Sequence, residues 1–388
     1  MFAKRITNLS ESKTVAIDVK AKEFKRQGIA VINLSVGEPD FVTPLNIQQA
    51  AIQAMKNGHT FYTSPAGIIE LRNAIAQKLK KDNGIEYDPS QIVVGAGSKQ
   101  LLFNLFQVMI NAGDEVIIPI PTWNTFVEQV KLAGGTPVLI KLLPPFKLKA
   151  DDIQKVLTKN TKIILVNSPS NPTGAMIDPE ELNKIADLAV KNNITVITDE
   201  IYEKLTYTQK HVSIASLNEQ IKNRTVTTGG VSKSYAMTGW RVGYAAGPQI
   251  IIDNMIKLQS QMLTQTSSIS QYAAVEAISG NQESVENMKK QFNKRREFCM
   301  KELNKISELT YTIPEGAFYL FISIQKLLDK KYETSASWGQ GLLETEKVAV
   351  VPGEAFFYPG YIRMSYAASD EDLKEALKRI NQFIANNK

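Results

Sequence analysis

The sequence predicts an α/β protein built on a mostly parallel sheet, and three observations carry that prediction. Between residues 90 and 250, short β-branched runs alternate with segments of helical period. The apolar runs number seven: Gln91 to Gly95, Glu115 to Pro119, Thr136 to Leu142, Lys162 to Asn167, Ile194 to Thr198, Arg224 to Thr228 and Arg241 to Ala246. Polar and glycine-containing motifs follow these runs, at the ends where open α/β sheets bind ligands.

Each element has its own local signal. Gly95-Ala96-Gly97-Ser98-Lys99 closes the first run and opens the helical pattern Lys99 to Ile110. The segment Pro179 to Asn192 is a well-marked helix, with Asp178 as N-cap, Pro179 in the first turn and an apolar face of Leu182, Ile185, Leu188 and Ala189. Strands alternating with helices imply βαβ units and a sheet buried on both faces. Residues 283 to 310 read as a long charged amphipathic helix leading into a second unit. That unit holds Gly316-Ala317-Phe318-Tyr319-Leu320-Phe321, Val348-Ala349-Val350-Val351 and Tyr361-Ile362-Arg363-Met364-Ser365, then a final helix from Asp370. There is no internal repeat and no low-complexity tract.

Length and composition set the bounds. At 388 residues the chain exceeds one simple core and suggests a large domain with a smaller one. The hydrophobic share of 43% and charged share of 22% are ordinary globular values. The formal charge of +6 is spread over helical faces such as Lys78 to Lys81 and Lys289 to Arg296. No basic block is interleaved with aromatics, so nucleic acid is not an expected partner. The single cysteine, Cys299, cannot close an internal disulfide and suits a reducing cytoplasm, the expected location. The start lacks an apolar stretch of signal-peptide length, and no run is long enough to span a bilayer. The two histidines, His59 and His211, stand isolated in sequence, so no metal site is expected.

The chemistry concentrates at Lys233, in Ser232-Lys233-Ser234-Tyr235-Ala236-Met237-Thr238-Gly239-Trp240-Arg241-Val242-Gly243-Tyr244. A lysine can condense with an aldehyde only when burial or a nearby cation strips its proton. Arg241 is such a cation and also a fork for a phosphate. Pyridoxal phosphate is the aldehyde-bearing phosphate that needs both groups. Other strand ends deliver Gly97 and Ser98, then Asn171 in Asn167-Ser168-Pro169-Ser170-Asn171-Pro172-Thr173-Gly174, then Asp199-Glu200-Ile201-Tyr202. Taken singly, Gly95-x-Gly97 could be a plain tight turn, Asn171 a loop residue and Asp199 a helix cap. Four strands bringing a phosphate-type turn, an amide, an acid and an amine to one edge make coincidence a poor account.

With these motifs in place, the chain resembles the class I, fold-type I aminotransferases that depend on pyridoxal phosphate, and most of all their bacterial aspartate aminotransferase branch. The resemblance runs from Thr14-Val15-Ala16 and Ser35-Val36-Gly37-Glu38-Pro39-Asp40-Phe41 through Tyr62-Thr63-Ser64-Pro65-Ala66-Gly67 and Asn171-Pro172-Thr173-Gly174. It continues over Ser232-Lys233 to Gly243, Val351-Pro352-Gly353 and Arg363-Met364-Ser365-Tyr366. It implies a seven-stranded, mostly parallel sheet in a large cofactor-binding domain, residues 44–284. A smaller α+β domain would be made from both termini, residues 1–43 and 285–388.

The resemblance also implies roles. Lys233 would hold the cofactor and move the substrate proton, Asp199 would pair with the pyridine nitrogen, and Asn171 and Tyr202 would bond the phenolic oxygen. Trp123 would cover the ring, and backbone near Gly97, Ser98 and Lys99 would seat the phosphate with Arg241. Tyr62 would reach the phosphate from the neighbouring subunit, which implies a homodimer with shared active sites. Arg363, with Gly37 and Asn171, would bind the α-carboxylate of an amino acid or 2-oxo acid. A second arginine for a distal carboxylate has no evident place, whereas Lys99 and Thr14 match the pair this branch uses. Thr122 and Asn124, beside Trp123, depart from the usual pattern near the pocket. Aspartate and 2-oxoglutarate are the expected pair. Prephenate, aromatic or broad specificity is the alternative, and a β-eliminating C–S lyase is a more distant one. A cofactor-sensing regulator would need a DNA-binding head, for which a match starting at Thr14 leaves no room.

Overall fold

The computed structural model describes residues 2–7, 9 and 13–387, with side chains for all of these except 4, 13–16 and 18. The first strand, β1 (Ile32–Asn33), is short and leads into the motif around Gly37. A sheet of seven strands follows: β2 (Ile92–Gly95), β3 (Glu115–Ile120), β4 (Thr136–Lys141), β5 (Thr161–Asn167), β6 (Thr195–Asp199), β7 (Thr225–Gly230) and β8 (Gly243–Ala246). Their order is β2-β8-β7-β6-β5-β3-β4. The pairs β3/β4, β3/β5, β5/β6 and β6/β7 are parallel, while β8 runs antiparallel to both β2 and β7. The expected mostly parallel sheet is therefore present. The reversal at β8 follows from the β7–β8 connection, which contains only short turns, Thr238–Trp240 among them, and no crossover helix to return the chain to the other end of the sheet.

Period-two alternation buries both faces. Ile163, Leu165 and Ile197 pack with the helices Ser98–Met109, Asn124–Leu132 and Gln249–Met262, whereas Ile164, Val166 and Val196 pack with Pro179–Lys191 on the opposite side. The chain passes from β3 outward to β4 and returns to β5 on the other side of β3. This switch point opens a crevice at the carboxyl ends of the strands.

A second sheet, β12-β13-β10-β9, is antiparallel and comprises β9 (Thr310–Tyr311), β10 (Tyr319–Ser323), β12 (Val351–Pro352) and β13 (Tyr361–Ser365). The short strand β11 (Val348–Ala349) pairs in parallel with β1, tying the early chain to the late one. The helices Glu283–Leu303 and Asp370–Ala385 cover this unit, around a core that includes Phe292, Cys299, Phe318, Leu320 and Phe383. Arg295 bonds both Asp40 and Asp370 at 2.8 Å, and Phe41 meets Phe292 edge-on. These contacts hold the Ser35–Gly37 backbone where it can face the large sheet.

Three local expectations differ. Asp178 occupies the N-cap position of Pro179–Lys191, but its side chain makes no cap bond and instead pairs with Lys147 at 2.7 Å. Arg241 precedes the strand it was expected to join and takes a left-handed conformation, φ 57°. The long helix ends at Leu303, short of residue 310. Among the described residues, no helix is long and apolar enough to cross a membrane.

Candidate active site

The carboxyl ends of the strands surround a cavity of about 380 Å³. Its lining includes Gly37, Ser98, Lys99, Trp123, Asn171, Asp199, Tyr202, Lys233, Arg241 and Arg363, so most residues singled out from sequence meet in one place. β2 leads to Gly97, which holds φ 84° as the N-cap of Ser98–Met109 and so turns the Ser98 amide toward the cavity. A Cβ at Gly97 would lie 2.6 Å from the Arg241 guanidinium, and one at Gly243 would lie 2.4 Å from the Ser98 amide nitrogen. Both glycines are required by this close approach of backbone and arginine. The left-handed Arg241 turn aims its guanidinium back across β8, where it donates to the carbonyls of Ala96 and Thr238 at 3.2 and 2.9 Å. A helix N-terminus beside an arginine is a seat for an anion such as a phosphate.

Across the cavity, Arg363 on β13 is 4% exposed. It donates to the Asn171 side-chain oxygen at 3.0 Å and to the Ser35 carbonyl at 2.6 Å. Its Nε, buried as well, has no partner among the described residues. Tyr319 and Phe356 lie 4.3 and 5.1 Å from the guanidinium carbon, so aromatic faces fix its plane. An arginine so held, with an unsatisfied donor, suits a carboxylate. Asn167, at the end of β5, donates to the Asp199 carbonyl and accepts from the Asn171 amide, which sets the loop that carries Asn171.

Burial tunes the titrating groups. It pushes the Asp199 carboxyl up to about 7, against the Ile201 amide bond that stabilises the anion. It lowers the Lys233 ammonium to about 8, with Glu38 opposing and Arg363 and Arg241 assisting. Lys233 donates to the Gly37 carbonyl. Desolvation, and then Arg241, lowers the Lys99 ammonium, whose nitrogen sits 4.6 Å from the Trp123 ring centre. A carboxyl and an amine both poised near neutrality can exchange protons with a bound molecule at modest driving force.

Three residues singled out from sequence, Tyr62, Thr122 and Asn124, do not line this cavity. Tyr62 is 88% exposed, outside the cavity of its own chain. The Thr14 side chain lies outside the described residues. Thr122, expected near the pocket, is buried beside a smaller neighbouring cavity with Leu142 and Phe146, and Asn124 begins the helix Asn124–Leu132. Sequence reasoning missed Tyr319, Asn167 and Phe356. Tyr319 was named only within the run Gly316 to Phe321 of the second unit, and its proximity to Tyr202 depends on two units packing together.

Sequence isolation also misled for His211. The fold places its Nε2 2.9 Å from Glu200, with Glu203 close by, in a largely buried group. Lys78 pairs with Glu203 there, and Asn83 donates to it at 2.7 Å. The Lys78 ammonium and, when protonated, the His211 imidazolium offset the two carboxylates.

Residues 29–380 match the family described as aminotransferase class I and II. The chain is 47% identical to the aspartate aminotransferase of Bacillus sp. (strain YM-2), covering 99% of each. It is 44% identical to the probable aspartate/prephenate aminotransferase of Aquifex aeolicus (strain VF5), over 99% of this chain and 98% of that one. Among solved structures, that of Thermus thermophilus aspartate aminotransferase with maleate superposes with a TM-score of 0.94 at 39% identity, covering 99% of both chains.

Proposed function

Since the chain belongs to the class I and II aminotransferase family and is a pyridoxal-phosphate-dependent aminotransferase, we propose that aspartate is its amino donor and 2-oxoglutarate its acceptor, in ping-pong order. The observation that carries the substrate reading is a count of charge. Among the described residues, the cavity lining has four cationic side chains, Lys99, Lys233, Arg241 and Arg363, against one carboxylate, Asp199. With Arg241 assigned to the phosphate, Arg363 to the α-carboxylate and Lys233 to the aldehyde, Lys99 is left for a second carboxylate. Maleate, bound by the Thermus thermophilus relative, is a dicarboxylate too. Prephenate is the second reading, favoured by the name of the Aquifex relative, and the same lysine would serve it.

When bound, pyridoxal phosphate supplies an aldehyde for amines and a ring that accepts the electrons of a Cα–H bond. The protein's residues do the rest. We assign Lys233 to the cofactor's attachment and, once displaced by substrate, to carrying the proton from Cα; its lowered affinity for a proton suits it to that work. Asp199 would face the ring nitrogen, and a proton held there would draw the carboxyl into its anionic form. Asn171 and Tyr202 would hold the phenolic oxygen, Trp123 would cover the ring, and Ser98, Lys99 and Gly97 backbone with Arg241 would hold the phosphate. Arg363, with Gly37 and Asn171, orients the α-carboxylate. Arg363 and Lys99 binding the two ends of a dicarboxylate would fix which Cα bond faces Lys233.

Tyr62 completes the phosphate site of a partner copy in this reading, with Thr14 assisting Lys99. Exposed Phe61 and Tyr62, 80% and 88%, support a homodimer that covers them. The single cysteine, Cys299, is buried and free and cannot close an internal disulfide, which supports a cytoplasmic enzyme. We take residues 44–284 as the large domain and 1–43 with 285–388 as the small one, a division supported by the β1/β11 pairing. Half-reaction spectra of the purified enzyme against aspartate, glutamate, alanine and phenylalanine test the substrate proposal. The cofactor band should change fastest with the two dicarboxylic amino acids. Faster conversion by alanine or phenylalanine would overturn it.

A further inference from the structure

The Tyr202 phenol has a second tyrosine behind it. Its oxygen lies 2.8 Å from the oxygen of Tyr319, and either can be the donor. Both rings are buried, and burial raises both phenols, so each keeps its proton at neutral pH. A phenol that donates its one proton to a cofactor oxygen can still accept through its lone pairs. Tyr319 is the donor placed to fill that role.

The same side chain touches the other half of the site. The Arg363 guanidinium lies over the Tyr319 ring at 4.3 Å. Tyr319 belongs to β10 and Arg363 to the adjacent β13, so the contact is set by strand pairing rather than by loops. The Tyr319 oxygen also fits against Gly37, where an added Cβ would lie 2.7 Å from it. Phe318, at 4.7 Å between ring centres, limits movement of the ring.

We propose that Tyr319 is a positioning residue that joins the Arg363 guanidinium to the Tyr202 phenol, so that one ring holds both the carboxylate seat and the donor facing the cofactor's phenolic oxygen. The proposal rests on the assignment of Tyr202 to that oxygen. A hydrogen bond accepted by Tyr202 polarises its own O–H and strengthens what it donates by about 10 to 30%. Without Tyr319's hydroxyl, Tyr202 stabilises negative charge on the phenolic oxygen less well, and the chromophore retains its proton to higher pH. For a charge-assisted bond the shift is roughly 0.1 to 0.7 of a pH unit.

The test is a spectrophotometric pH titration of the bound cofactor in wild type, Tyr319→Phe, Tyr202→Phe and the double variant. Tyr319→Phe keeps the ring under Arg363 and removes only the hydroxyl. Its midpoint should rise by roughly 0.1 to 0.7 of a pH unit, Tyr202→Phe should rise further, and the double variant should match Tyr202→Phe. A Tyr319→Phe midpoint equal to wild type would overturn the proposal while leaving Tyr202's role standing. So would a Tyr319→Phe shift that persists undiminished without the Tyr202 hydroxyl. No shift in Tyr202→Phe would remove the underlying assignment as well. For the other arm, the succinate dissociation constant should stay near wild type in Tyr319→Phe and weaken roughly 2- to 5-fold in Tyr319→Leu, which loses the aromatic face. Equal succinate binding by Tyr319→Leu and wild type would refute the link to Arg363.

Discussion

Lys99→Ala should depress transamination of aspartate and glutamate while largely sparing alanine and phenylalanine. Two losses of different size are expected. The Lys99 nitrogen sits 4.6 Å from the centre of the Trp123 ring. Losing that contact costs about 0.5 to 1 kcal/mol, a roughly 2- to 5-fold loss that every substrate shares. The second loss falls only on substrates with a distal carboxylate. Desolvation and the Arg241 guanidinium leave the Lys99 ammonium under-compensated, so an arriving carboxylate relieves it. A charge-assisted hydrogen bond contributes about 1.5 to 3 kcal/mol, hence a further roughly 10- to 150-fold fall in kcat/KM for aspartate and glutamate. Single-turnover spectra with the four amino acids measure both losses in one experiment. An equal loss for all four would mean that Lys99 serves the phosphate or the fold, and the assignment of a dicarboxylic substrate would fail with it.

Lys233→Ala should retain its fold and some cofactor, yet lose at least about 10² to 10⁴ in turnover, the scale of a lost proton carrier. Near-normal activity in a steady-state assay would contradict its role. Reannealing Tyr62→Ala with Lys233→Ala subunits should restore activity, because a hybrid dimer has one site with both groups; a fully active monomer in sedimentation experiments would rule out shared sites. The buried His211 should make stability depend on pH. Burial disfavours its charge, but Glu200 and Glu203 outweigh that and raise its folded pKa above the ordinary 6.5. Its contribution is therefore complete below about pH 6.5 and is lost as pH rises through the raised folded value. The Tm difference between wild type and His211→Gln should shrink over that rise, and a difference unchanged from pH 6 to 9 would show that the imidazole does not titrate there.

How much of this was legible in the sequence depended on the range of the forces involved. Local pattern was enough for the seven strands, because β-branched runs and period-two burial on both faces are properties of short segments. It was also enough for the strand-end motifs, since Gly97, Asn171, Asp199 and Lys233 each lie at or within a few residues of a strand's carboxyl end and open α/β sheets place such ends together. Orientation was not local: β8 reverses because its connection lacks a crossover helix, and Arg241 turns left-handed to reach back over Gly97. Asp178 was read as a cap from its position, but Lys147, a distant residue in sequence, takes its side chain. His211 looked isolated because Glu200, Glu203 and Lys78 reach it only through packing. Tyr319 carried no signal of its own within the run Gly316 to Phe321, and only the docking of β10 beside Tyr202 and β13 puts its hydroxyl on a phenol and its face on a guanidinium. The sequence alone determined the strands, the family resemblance and the chemistry at the strand ends, because backbone propensity and motif spacing are written along the chain. Which side chains meet, and how far burial shifts Asp199 and Lys233 toward neutrality, only the tertiary structure decided, because desolvation and contact arise between segments far apart in sequence.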